Sequence, residues 1–190
     1  MNTKIYVLLT SIFLLTNCDK DPREIAQEQL AKEIEPTRIK LEAFKKQPIY
    51  WSGIESSKDE CVLSFIKSVS EGKSGENLAC VLENREWEES FLPYVFGQGT
   101  ILDSTPLEKY LQITSDRKNM GFEKIKTLVQ NKKYKIISIQ WNKNEKSNFG
   151  PFLGWKPVIQ LSINRNTFVI NEVKQVIEYK GTYKIAVIGP

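Results

Sequence analysis

Three cysteines, Cys18, Cys61 and Cys80, are the most reactive side chains in a chain of 190 residues that contains no histidine. Without histidine there is no Ser-His or Cys-His dyad, no His-bearing metal site and no use of the commonest general base. Three cysteines with no CxxC pair exclude a zinc site made of cysteines alone. Gly72-Lys73-Ser74-Gly75 has the look of a phosphate loop. Lys67, however, stands where the Walker pattern needs its first glycine, and no strand is expected before it. GxSxG, GxGxxG, a calcium loop of alternating acids and Ser-x-x-Lys with its companion motifs do not occur. Glu88 and Glu89 are adjacent, diverge on a helix and cannot flank a scissile bond as paired glycosidase carboxylates do. No catalytic residue, metal ligand or cofactor is expected, so the expected mode of action is binding or scaffolding rather than catalysis.

Charge and aromatic side chains mark where contacts could form. The net charge of +4 hides an asymmetry: residues 48–105 carry four basic and ten acidic side chains, whereas residues 106–190 carry fifteen basic and six acidic. Glu83, Glu86, Glu88 and Glu89 stand on one side of this division, and Lys124, Lys126, Lys132, Lys133 and Lys135 on the other. Either the two halves attract each other within one fold, or the basic half offers a positive surface to an anionic polysaccharide, lipid head group or protein. The segment 142–154 (NKNEKSNFGPFLG) is read as a contact loop too long for a tight hairpin. Its candidate binding residues are Trp141, Lys143, Lys146, Phe149, Phe152, Trp155 and Lys156, because aromatic rings beside cations suit a sugar ring or a protein surface. The competing reading is that Phe149 and Phe152 fold back and cap the open end of a sheet.

The N-terminus carries an address. Lys4 is followed by eleven apolar or small residues, 5–15 (IYVLLTSIFLL), and charge resumes at Asp19. A run this short with a basic front is a secretory signal rather than a spanning helix, which needs about 20 residues. Where cleavage is due the chain reads Leu14-Leu15-Thr16-Asn17-Cys18. This resembles the lipobox of bacterial lipoproteins, with Asn17 standing where Gly, Ala or Ser is usual, as in spirochaetal members. The resemblance implies that residues 1–17 are a signal peptide, that Cys18 receives a thioether-linked diacylglycerol and becomes the first mature residue, and that the acyl chains attach the protein to a lipid bilayer. It implies an outer-membrane or cell-surface position, with the inner membrane still open because Asp19 resembles an enteric retention signal. Nucleic acid fits the basic charge but not an exported location. If Cys18 carries lipid, Cys61 and Cys80 remain as an even pair in an oxidising compartment. A disulfide between them would close a loop of about 20 residues and contribute about 3 kcal/mol. Alternatively they are two small buried apolar side chains. On the same footing, the protein acts as an envelope binding or scaffolding protein, or as a periplasm-facing accessory subunit whose acidic helical face docks a partner.

The elements that must position these residues can be read from periodicity. Residues 18–50 form a lipidated N-terminus and a charged helical segment, either a stalk or a helix docked on the body, which Pro36 should break or restart. Residues 51–190 form one α+β domain, helical over 55–130 and β-rich over 132–189. Ser57-Lys58-Asp59-Glu60 is a capping box before a stripe of Cys61, Val62, Phe65, Ile66 and Val69, and Gly72 closes the helix. A second helix is expected from Ser74 to about Ser90. A third should start with Thr105 as N-cap and Pro106 at the first helical position, with Gly121 as a potential interruption. From Tyr134 the period becomes two. Trp155, Pro157, Ile159, Leu161 and Ile163 share one strand face, with Pro157 at an edge or a strand start. Turns at 164–166 and at Lys180-Gly181 complete an antiparallel meander of about five strands. Either an SH3-like small barrel or a curved sheet covered by helices would bury its apolar face. The helix stripes, which also need a partner, favour the covered sheet.

Overall fold

The computed structural model describes residues 21–142 and 146–190; Cys18 and Lys143 lie outside the described residues. The class is α+β, with helices α1 (Pro22–Lys45), α2 (Lys58–Ser70), α3 (Leu92–Val95) and α4 (Leu107–Val129) preceding seven strands. These are β1 (Tyr134–Trp141), β2 (Ser147–Phe149), β3 (Phe152–Trp155), β4 (Pro157–Ile163), β5 (Asn166–Ile170), β6 (Val173–Tyr179) and β7 (Thr182–Ile188).

The strands do not form one meander. They make two antiparallel sheets, one ordered β1-β4-β5 and one ordered β2-β3-β6-β7, and neither is closed into a barrel. The chain changes sheets at Lys156: the strand expected from Trp155 to Ile163 is divided, with Trp155 closing β3 in the larger sheet and residues 157–163 forming β4 in the smaller. Pro157 is the first residue of β4 and lies in the centre of its sheet, so its missing N–H falls at a strand start, not at an edge. The alternation along β4 is as read from the sequence, with Pro157, Ile159, Leu161 and Ile163 all buried. Both expected turns are present, with positive φ at Asn164 and Arg165 and at Lys180 and Gly181.

The four-stranded sheet is buried on both faces. Val176 and Ile185 face a core shared with α2, the end of α4 and the smaller sheet, whereas the adjacent Ile177, with Phe152, faces a second core built from α1, α3 and their flanking turns. The half-buried sheet read from the sequence is thus the middle layer of the molecule.

The helices differ from expectation in informative places. α2 begins where its sequence says, with the Glu60 N–H donating to Ser57 Oγ (3.1 Å), and its stripe is fully buried. No α-helix runs from Ser74 to Ser90. A 3-10 turn (Gly75–Asn77) leads to Cys80 at φ 58°, and Val81 forms a parallel bridge with Ile185. A π-helical turn (Glu86–Phe91) then runs into α3. Cys80 holds its left-handed conformation because it is fastened on both sides. Its carbonyl accepts from the Ile185 N–H (2.7 Å), and its sulfur lies 2.01 Å from that of Cys61. The two cysteines are therefore at disulfide-bond distance, and the bond joins α2 to the segment along the edge of β7.

α1 continues through Pro36. The residues around the proline, Ile34, Thr37 and Leu41, are docked on the body, and this packing holds the helix together despite the lost backbone hydrogen bond. Residues 21–33, in contrast, are all exposed, so α1 is docked over its second half and projects over its first. Thr105 does not cap α4. That role falls to the buried Thr37 of α1, whose Oγ1 accepts from the Leu107 N–H (2.9 Å).

Gly121 does not interrupt α4. It lets the helix approach the C-terminal strand, since a Cβ at this position would lie 2.8 Å from the Gly189 backbone. Gly121→Ala must push helix and strand apart, and it is expected to lower stability by about 1–3 kcal/mol despite the better helix propensity of alanine. Urea unfolding checks this; an unchanged or raised midpoint would contradict the close approach.

Candidate functional site

α4 touches the body at its two ends. Leu107 and Tyr110 pack into the second core, and Gly121, Phe122, Ile125 and Val129 pack toward the first, but no residue from Leu111 to Met120 is buried. The helix therefore bridges the seam between the cores and leaves a groove of about 940 Å³ beneath its middle turns. The opposite walls are the last residues of β7 (Ala186, Val187, Ile188) with Gly189, and the irregular segment from Ser74 to Glu88. Leu78, Leu82, Trp87, Leu111, Phe122 and Ile188 are among its apolar lining residues. The volume is within the usual range for small-molecule sites.

Lys118 is the distinctive polar group. Leu111, Thr114, Lys118, Phe122 and Ile125 follow one another at intervals of three or four, which places Lys118 on the inward stripe of the helix. It is half-buried, lines the groove, and has no ion pair or hydrogen bond among the described residues. Burial holds its ammonium below the ordinary lysine range, and the field of Glu76 opposes this only in part. Arg117 and Lys174 also line the groove, as do the carboxylates of Glu88, Glu108 and Glu123. Burial, reinforced by Asp103, raises the Tyr110 hydroxyl above its usual range and keeps it neutral. Among the described residues there is no cluster of three or more cysteine or carboxylate side chains that could hold a metal ion.

The contact residues expected at 141–156 are divided between two places. Residues 147–155 are not a long loop but a tight hairpin: β2 and β3 pair Phe149 with Phe152 across Gly150-Pro151. Gly150 has φ 58°, and a Cβ there would lie 2.3 Å from the Tyr94 ring. Phe152 is completely buried, with ring centroids of Trp51, Phe91, Tyr94 and Tyr179 at 5.8, 5.6, 5.7 and 5.2 Å. Phe149 is half-buried against Phe91, at 5.3 Å. Phe152 thus caps the second core and has no surface to offer a contact, while Phe149 packs on the same core and keeps part of its ring exposed.

Trp141 and Trp155 lie elsewhere, beside the start of α2. The Trp141 Nε1–H donates to Asp59 Oδ1 (2.7 Å), and Lys58 Nζ sits over both rings, 4.7 Å from Trp141 and 5.1 Å from Trp155. Lys146 adds a further contact to Trp155 at 5.8 Å. The cation over both indoles is thus Lys58, which is not among the expected contact residues, and of the candidate lysines Lys146 joins it on Trp155. Lys156 is exposed on the connection between the sheets.

The acidic run is also partly consumed inside the fold. Glu86 is buried and pairs with buried Lys184, an ion pair that joins the acidic and basic halves, while Glu89 pairs with Arg85 at 2.9 Å. Lys126 reaches Glu123 (3.1 Å) and Lys124 reaches Glu172 (3.9 Å). The groove was not anticipated from the sequence. The signal that could have found it is a lysine, with Thr114 before it, interrupting an otherwise apolar helical stripe.

No family model, no curated protein and no solved structure matches this chain.

Proposed function

We propose that this protein is a bacterial envelope lipoprotein, tethered through acylated Cys18 in the outer membrane or at the cell surface, whose body binds a ligand without transforming it. The observation that carries the tether is the eleven-residue run 5–15 closing on Leu14-Leu15-Thr16-Asn17-Cys18. A cysteine pair at bonding distance fits an oxidising compartment and supports an exported location. No helix among the described residues is long and apolar enough to cross a membrane. In this reading attachment comes from acyl chains, at about 0.8 kcal/mol for each buried CH₂. The groove under α4 supports binding as the role of the body: it is concave, combines apolar side chains with polar ones, and includes two half-buried lysines, Lys118 and Lys174.

The test is fractionation of cells expressing wild type or Cys18→Ala, with metabolic palmitate labelling. Wild type is expected to be labelled and to sediment with membranes, whereas the variant is unlabelled and soluble. Identical distribution of the two proteins would defeat the reading.

A further inference from the structure

We propose that the groove under α4 takes a single-chain amphiphile with an anionic head, seated with the head on Lys118 and the aliphatic chain along Leu78, Leu82, Leu111 and Phe122. This deepens the binding role proposed above and rests on the groove being its site. Lys118 lies on the inward stripe of α4 and makes no hydrogen bond or ion pair among the described residues, although the field of Glu76 reaches it. An ammonium so placed is destabilised until an anion reaches it, and a bound anion then gains a charge-assisted hydrogen bond.

The other charges set the direction. Arg117 and Lys174 line the groove with Lys118, and Glu123, which also lines it, is paired with Lys126 (3.1 Å), whereas Glu108 lies ten residues before Lys118 along α4, a rise of about 15 Å. Glu88 also lines the groove, on the opposing wall beside Trp87. An anionic head is therefore favoured at Lys118 and disfavoured beside Glu108 and Glu88. The stretch between them is apolar on facing walls, from Leu111 on the helix and from Leu78 and Leu82 opposite.

Calorimetric titration of the purified full-length protein with dodecanoate, dodecanol and dodecylammonium, each below its micelle concentration, tests the assignment. Dodecanoate is expected to bind one-to-one, and Lys118→Met, with the melting temperature checked for intact folding, is expected to weaken it roughly 10- to 100-fold. Dodecanol should bind the wild type about as weakly as dodecanoate binds the variant, and dodecylammonium more weakly still. Equal affinity for dodecanoate and dodecanol would overturn the head assignment at Lys118 while leaving the groove as a binding site. Failure of all three probes to bind would overturn the ligand class. A Leu111→Trp variant, which fills the groove, separates the two layers of the argument. If it binds dodecanoate as wild type does, the ligand sits elsewhere and the groove fails as the binding site.

Discussion

Glu86→Gln is expected to lower the stability of the fold by about 3–5 kcal/mol, the usual cost of removing one partner from a buried ion pair. Glu86 is completely buried, and its carboxylate serves three donors. It accepts from the Ser52 N–H (2.6 Å) and the Glu83 N–H (2.9 Å), and it receives the Lys184 ammonium. Lys184 also donates to Ser52 Oγ (2.7 Å). The pair thus ties the π-helical turn, β7 and the segment before α2 into one satisfied network. A glutamine offers one acceptor oxygen and places an NH₂ against donors, leaving the Lys184 charge buried and unmatched. Most single domains are stable by only about 5–15 kcal/mol, so a loss of this size should be plain in a urea titration. Glu86→Leu combined with Lys184→Met should recover much of the deficit, because it removes both charges together. A loss below about 1 kcal/mol for Glu86→Gln would show that the network is not worth what its geometry implies.

Phe152→Ala should cost about as much, 3–5 kcal/mol, through the cavity it opens rather than through charge. Its ring stands at the centre of four others, from Trp51, Phe91, Tyr94 and Tyr179, which come from separate parts of the chain. None of them can collapse into the space without breaking its other contacts. Phe149→Ala, at a half-buried ring that meets Phe91, should cost less than Phe152→Ala. The measurement is again denaturant unfolding. A Phe152→Ala protein of wild-type stability would return the hairpin to the role of a contact surface.

The same phenylalanine shows how far the sequence could be read. Alternation marks which residues of β4 point inward, and Ser57 and Gly72 mark the ends of α2, because both signals are local and backbone geometry enforces them. Whether Phe149 and Phe152 meet solvent or a second core depends on α1 and α3, which lie far away in sequence and reach the hairpin only after folding. The split into two sheets was hidden for a similar reason. One exposed residue, Lys156, separates β3 from β4, and nothing in the period-two pattern changes there.

Residues 74–90 were misread because Leu78, Val81 and Leu82 fit helical spacing while their actual positions are set by the Cys61–Cys80 link and the bridge to β7. The opposing charges of the two halves were visible. That one pair, Glu86 with Lys184, is internal while most of the others are solvated could not be read from composition. The groove was the least legible feature, since it is an absence of packing between two cores whose existence the sequence did not announce.

The capping of α4 by Thr37 has a mechanical consequence. Residues 21–33 project from the body, and the next residues of the same helix hold the first turn of α4 through one buried hydroxyl. Tension arriving along the chain from its N-terminal side enters the body there, at the root of the helix that roofs the groove.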